Sequence, residues 1–233
     1  MNIFYTPDIT GNSYTLNEEE SKHCVRVLRM EIGKRINLVD GDGGMYIAQI
    51  VDANPKRCRV EVVEKQECYG KRPYYLHIAI GPTKLIDRYE WFLEKVTEIG
   101  IDEITPLESF HSERRTVKQE RSEKVVTAAV KQSVKAYHPK VNEMTSFKEL
   151  VNRPFEGKKF IAHCNDGEKV LLKHAVAPGD NALILIGPEG DFSVEEVALA
   201  KQQGFIEISL GESRLRTETA GVVACSTVCF VNQ

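Results

Sequence analysis

The sequence predicts an α/β chain in two parts: a small N-terminal β-barrel, then a mostly parallel sheet with helices on both faces. Three observations predict it. From Arg35 to Glu64, RINLVD, MYIAQIV and RCRVEVVE alternate apolar and polar residues, and the turn sequences GDGG and ANPK separate them. That is the pattern of a three-stranded antiparallel meander. From Tyr74 onward short apolar runs alternate with helical periods, which implies βα units and a parallel sheet. Between the two, ECYGKRP (67–73) is polar and turn-forming, and the period changes behind it. The boundary falls there, giving residues 1–72 to the barrel and 73–233 to the α/β domain.

Taken in order, strands near residues 3–5 and 12–16 complete the barrel. NEEESKHCVRVLRM (17–30) reads as a helix in which Asn17 and Glu20 have capping-box spacing and Arg26 and Arg29 share a face. YLHIAIG is an apolar strand, and DRYEWFLEKVTEIG is an amphipathic helix closed by Gly100, with Trp91 read as a core residue. DEITPL is a short strand, residues 113–137 are mostly helical up to His138-Pro139, and KKFIAHC is a strand. ALILIG, SVEEVALAKQQG, FIEISLG and TETAGVVACSTVCFV then read as strand, helix, strand and helix.

Composition narrows the class. Hydrophobic residues make up 42% of the 233 and charged residues 28%, enough for a core and a soluble surface. MNIFYTPDIT has no basic segment followed by an apolar one, and no apolar run nears the roughly 18 residues of a membrane span, so a cytosolic protein without a membrane role is expected. Six scattered cysteines form no CxxC and no metal site is expected; Cys225 and Cys229 read as small core residues. The net charge of −3 gives no hint of nucleic acid, but residues 111–140 hold eight Lys or Arg against three Asp or Glu. Arg114, Lys118 and Arg121 recur there at helical spacing, continued by Lys124, Lys131 and Lys135. A one-signed stripe of that kind is either a solvated face or a phosphate-binding one.

The chemistry concentrates in two βα turns. Ala182–Ile186 is a buried-strand sequence that runs into Gly187-Pro188-Glu189-Gly190, and Ser193 and Glu196 have capping-box spacing for the next helix. Open α/β sheets bind ligands at such turns. The turn matches neither GxGxxG nor GxxxxGK[ST], and it offers a phosphate two carboxylates, Glu189 and Asp191, and no lysine. A ligand with an adenosine and a cationic centre, such as S-adenosylmethionine, suits it better. The next unit repeats the arrangement: a strand ends at Leu210-Gly211, and a helix of small apolar residues opens with Arg216-Thr217-Glu218-Thr219. Two such turns from neighbouring strands would wall one pocket.

IGPEG together with LGxxxLRTETA resembles the RsmE family of bacterial ribosomal RNA methyltransferases, of the knotted SPOUT class. HCVRVLRM, KVTEIGIDEITPLESFHSERR and AAVKQSVKAYHP resemble further segments of that family, so the likeness covers nearly the whole chain. Lys135 departs from the family's usual Arg, and Asp191 stands where a second Gly is frequent. The resemblance implies a PUA-like N-terminal barrel, a SPOUT-type parallel-sheet domain with a trefoil knot, and a homodimer. It also implies S-adenosyl-L-methionine as cofactor and methylation of N3 of a uridine in 16S rRNA of the 30S subunit. The other reading kept open is a non-catalytic RNA-binding ribosome-assembly factor.

By the same resemblance, the cofactor would lie against Ile161, Ala162 and His163, the turn Gly187, Pro188, Glu189 and Gly190, and Leu210, Gly211, Leu215, Arg216 and Thr219. Arg216 is the first catalytic candidate, its guanidinium placed to stabilise charge on a uracil oxygen; an ion pair at a dimer interface is its other reading. Glu218 is either a base or a favourable charge at a helix N-terminus. Glu189 and Thr219 each either bond the cofactor or cap local backbone. Arg26, Arg29, Arg88, Arg114, Lys118, Lys131 and Lys135 are the candidate RNA contacts.

Overall fold

The computed structural model describes residues 3–233. Packing divides them into two compact units: the chain up to Lys71 with Val130–His138, and Arg72–Ala129 with Pro139–Gln233.

The first unit is a curled five-stranded sheet. Its strands are β1 (Ile3–Tyr5), β2 (Ser13–Thr15), β3 (Arg35–Val39), β4 (Met45–Asp52) and β5 (Arg59–Gln66), in the order β1-β3-β4-β5-β2. The expected meander is β3, β4 and β5, antiparallel throughout, while β1 joins β3 in parallel. Inward-facing Ile36, Leu38, Ala48, Ile50 and Val60 pack into one core with Phe4 and Cys24. The GDGG turn closes tightly because Asp40 accepts hydrogen bonds from the Asp42 and Gly44 N–H groups, each at 2.8 Å. Gly43, at φ 101°, leaves room for the Tyr137 ring of the 130–138 stretch, which a Cβ would strike.

The helix expected over 17–30 is shorter. Helix α1 covers Glu18–Lys22, with Asn17 capping the Glu20 N–H at 2.8 Å. The Glu20 carboxylate does not return to complete a capping box; it pairs with Lys131 at 2.5 Å. The chain then widens into a π-type turn at His23–Val27, where the Leu28 N–H donates to the His23 carbonyl at 2.9 Å. Arg29 follows at φ 53°, so Arg26 and Arg29 share no helical face. Val25, Val27 and His23 are indifferent helix formers, and Leu28 and Met30 pack on the barrel core instead of continuing a surface helix.

The second unit holds β6 (Leu76–Ile80), α2 (Ile86–Ile99), β7 (Glu103–Glu108), α3 (Gln119–Ser133, whose last turn packs with the first unit), β8 (Lys140–Val141), β9 (Thr145–Ser146) and α4 (Phe147–Val151). It continues with β10 (Lys158–Ala162), β11 (Val170–Leu171), α5 (Leu172–Ala175), β12 (Ala182–Ile186), α6 (Val194–Gln202), β13 (Ile206–Ser209) and α7 (Thr217–Val231). The sheet order is β11-β13-β10-β12-β6-β7-β8, all parallel, with β9 also beside β7. The central strands β6 and β12 are buried along their whole length, as a sheet covered on both faces requires. Phe147, Leu150, Phe192 and Val197 fill one face. On the other, Gly221 of α7 lets the helix settle so near Phe92 of α2 and Ile80 of β6 that a Cβ would not fit.

Two expectations fail here. Trp91 is 43% exposed and outside the core, because α2 turns Tyr89, Phe92, Leu93 and Val96 inward and position 91 falls on the opposite side. The basic helix spans 119–133, not 113–137, so Arg114 and Lys118 precede it, and Val134 at φ 60° ends it. Among the described residues no helix is long and apolar enough to cross a membrane.

Candidate functional site

In a parallel sheet all strands end at one edge, and the turns there face a common space. At that edge Ala162 closes β10, Ile186 closes β12 and Ser209 closes β13. The turns that follow enclose a cavity of about 480 Å³, a size suited to a nucleoside-like ligand.

Of the residues singled out from sequence, Ala162, His163, Gly187, Pro188, Glu189, Leu210, Gly211, Leu215, Arg216 and Glu218 line it. Ile161, Gly190 and Thr219 do not. Ile161 is buried within β10, and Thr219 is half-buried one position past the lining Glu218. Gly190 has its Cα turned toward His111, whose Cβ lies 2.7 Å from where a Cβ on residue 190 would stand. The cavity also takes in Cys164, Asp191, Ser213, Arg214 and Arg88. Arg88 was read from sequence as a phosphate contact on α2; its place beside Glu218 is a long-range contact that periodicity does not reveal.

The walls differ in charge. On one side, the turn after β12 carries Glu189 and Asp191, whose carboxylates are bound to backbone. Glu189 accepts the Lys84 N–H at 2.8 Å. Asp191 accepts those of Cys164 at 2.6 Å and Phe192 at 2.8 Å, and sits at φ 63°, a left-handed conformation that Asp tolerates better than most residues. Asp191 thereby pins the end of β10 to the turn after β12. On the other side stand Arg214 and Arg216, neither with an ion-pair partner among the described residues. The carboxylate argument against phosphate therefore holds for one wall only.

Arg216 is the N-cap residue of α7, and its side chain makes no capping bond, so the guanidinium is left to the cavity. Glu218, in the first turn of α7, is 8% exposed, with Arg88 Nε 3.9 Å from its carboxylate. His163 is held by Glu207, Nε2 to Oε2 at 3.0 Å, and its Nδ1 is buried without a partner. Burial pushes the ring below its ordinary pKa, Lys169 adding and Glu207 opposing, so it is neutral near pH 7.

The candidate RNA residues stand in different local environments. Arg26 and Arg29 are exposed at the end of the π-type turn. Arg114 is a structural clamp: Nε donates to the Thr83 carbonyl at 3.0 Å and Nη2 to that of Lys84 at 2.7 Å. Lys131 is paired with Glu20, and Lys135 is half-buried on the stretch that packs with the first unit. Lys118 is exposed just before α3 and has no ion-pair partner among the described residues.

Residues 70–229 match the family model described as an RNA methyltransferase domain, and residues 16–63 match that of an RNA methyltransferase PUA domain. Fold and pocket thus define an RNA methyltransferase with a PUA domain. The chain is 27% identical over 231 residues to ribosomal RNA small subunit methyltransferase E of Bacillus subtilis, covering 94% of this chain and 90% of that one. A probable rRNA methyltransferase from Porphyromonas gingivalis is 41% identical, with TM-score 0.93 and coverage of 100% and 98%. The ribosomal RNA small subunit methyltransferase E of Neisseria gonorrhoeae, solved bound to S-adenosyl methionine, is 26% identical, with TM-score 0.87 and coverage of 97% and 95%. The chain belongs to the ribosomal RNA small subunit methyltransferase E family.

Proposed function

We propose that this protein transfers the methyl group of S-adenosyl-L-methionine to N3 of one uridine of 16S rRNA, within the 30S subunit and in the cytoplasm. The observation that carries this reading is the cavity between the two βα turns, with backbone and carboxylates on one wall and Arg214 and Arg216 on the other. Its donor set fits the cofactor. Main-chain groups of Ala162, Gly187, Leu210 and Gly211 can read an adenine edge, and Glu189 and Asp191 favour a cation nearby. The bound cofactor supplies an electrophilic methyl group on a sulfonium.

The chain's own residues do the rest. N3 of uracil lies on the Watson–Crick edge and carries a proton, so the base must be unpaired or flipped, and the proton must leave. Glu218, in the first turn of α7 beside Arg88, is the group placed to accept it. Arg216 stabilises the negative charge that then spreads to the uracil oxygens, an oxyanion-hole role. The N-terminal unit, assigned to residues 1–72, carries Arg26 and Arg29 to the RNA. The reading includes a homodimer and a trefoil knot; the non-sequential strand order and the return of α7 onto β6 and β12 agree with such threading.

The test is transfer of labelled methyl from S-adenosylmethionine to 30S subunits lacking native modification, followed by nucleoside digestion and mass spectrometry. 3-Methyluridine is expected. A different methylated nucleoside would overturn the site of transfer. No transfer by folded protein that still binds the subunit would make it an assembly factor.

A further inference from the structure

The loop from Ser109 to Lys118 leaves the closing edge of β7, the same sheet edge as the cavity. It is held rigidly at several points. The Ser109 N–H donates to Ser112 Oγ at 3.0 Å, and the Phe110 N–H donates to Glu196 at 2.9 Å. His111 Nδ1 lies 3.1 Å from the carbonyl oxygen of Asp191, a residue of the cavity wall, and Arg114 clamps the carbonyls of Thr83 and Lys84. On this fixed loop Phe110 is 71% exposed, touching the edge of the His111 ring, centroids 4.9 Å apart.

A single exposed apolar residue is ordinary. Phe110 differs in two respects. Its loop is bonded directly to the turn that walls the cavity, so the ring has a set position beside the site before anything binds. Cations follow it on the same loop: Arg115 is paired among the described residues with Glu108 alone, across an exposed 3.2 Å contact, and Lys118 has no ion-pair partner among them. Exposed pairs are weak and exchange readily for phosphate.

We propose that Phe110 is a stacking platform for a nucleobase of single-stranded RNA adjoining the methylated nucleotide, with Arg115 and Lys118 taking the neighbouring phosphates. The proposal rests on the RNA-methylation reading above. A nucleotide drawn into the cavity loses its own stacking, and a flanking base on an aromatic face holds the strand in register. Stacking needs only a π-face, so this contact adds affinity without reading sequence. Cations on the same loop as an exposed aromatic, tied to the cavity wall through His111, suit RNA better than a protein partner.

The experiment uses Phe110→Ala, Phe110→Leu and Phe110→Trp in the full chain, with 30S subunits as substrate. Phe110→Ala should raise KM for subunits about tenfold, as loss of one base–aromatic stack implies. The turnover rate at saturating subunits, the calorimetric affinity for S-adenosylmethionine and the sedimentation mass should not change. Phe110→Trp should restore KM and Phe110→Leu should not. An unchanged KM in Phe110→Ala, equal rescue by Leu, or a changed sedimentation mass would overturn the proposal, the last pointing to a protein interface. If the wild-type chain transfers no methyl group, the functional reading falls. Filter binding of wild-type and Phe110→Ala protein to a 16S rRNA fragment then decides the stacking contact separately, equal affinities overturning it.

Discussion

The two edges of the parallel sheet use polar residues in opposite ways. At the starting edge, His77 of β6 lies opposite Glu103 of β7 in the strand register, and their neighbours complete a closed network. His77 Nε2 is 2.7 Å from Thr105 Oγ1; Glu103 accepts from Tyr75 Oη at 2.6 Å, Asn142 Nδ2 at 2.6 Å and Lys140 Nζ at 3.2 Å; Arg72 meets Asp102 at 2.6 Å. At the closing edge, Arg214 and Arg216 have no ion-pair partner among the described residues, and Glu218 has one long contact. Burial would raise the Glu103 carboxyl, but bonds from Asn142, Tyr75 and Lys140 and the nearby His77 bring it down to about 2. Polar groups that satisfy one another stabilise a fold; groups left facing a cavity are available to a ligand. One sheet therefore carries an end whose polar groups satisfy one another and an end whose polar groups face a cavity.

The sharpest way to break this comparison is to exchange the roles. Arg216→Ala should reduce methyl transfer by a factor of about 100 to 1,000, the usual consequence of losing an oxyanion donor, with the thermal midpoint unmoved. Near-normal activity would remove Arg216 from the mechanism. Glu103→Ala should do the reverse, costing about 3 kcal/mol in urea unfolding because Tyr75, Asn142 and Lys140 lose their common acceptor, while activity per folded molecule stays the same.

Acid should act on the starting edge first. Burial lowers His77 from 6.5 to about 4, against the pull of Glu103 and helped by Lys140 and Arg153. Its folded pKa lies below its unfolded one, so the unfolded chain binds the proton first. Stability is full above pH 6.5 and falls as pH drops toward 4, by about 2 to 3 kcal/mol. His77→Asn should flatten urea unfolding curves over that window, and the loss linked to Glu103 should appear only below pH 4.5. Gly190→Val should weaken S-adenosylmethionine binding about tenfold in calorimetry, because the new side chain meets His111 and shifts the cavity turn. The smallest effect belongs to Asp191→Gly. Relief of the left-handed backbone offsets two lost hydrogen bonds, so stability should change by less than about 1 kcal/mol; a larger fall in unfolding experiments would show that the Asp191 bonds carry the joint between β10 and the turn.

The sequence reveals most of this where the signal is local. Ser193 and Glu196 form the expected capping box, and α7 starts and stops at the residues read from its apolar run. The IGPEG and LRTETA turns fall at the cavity because a strand followed by a turn and a helix fixes which edge the turn occupies. Partners distant in the chain were not legible. Arg114 has the right spacing for a basic helix face, yet it clamps carbonyls about thirty residues away. Residues 130–138 pack with the first unit although the helical pattern runs through them unbroken. The exposure of Trp91 was within reach, since the positions 89, 92, 93 and 96 already define an inward face without it. The place of Arg88 at the cavity was hidden because it comes from a segment distant from Arg214 and Arg216, and their meeting depends on α2 packing against α7.

The central claim is that the cavity at the closing edge holds the methyl donor. A crystal structure of the protein soaked with S-adenosylmethionine tests it most directly. Density between the turn at Gly187–Asp191 and the segment Leu210–Arg216 is the predicted result. An empty cavity at saturating cofactor, or the cofactor bound elsewhere on the chain, would contradict the account.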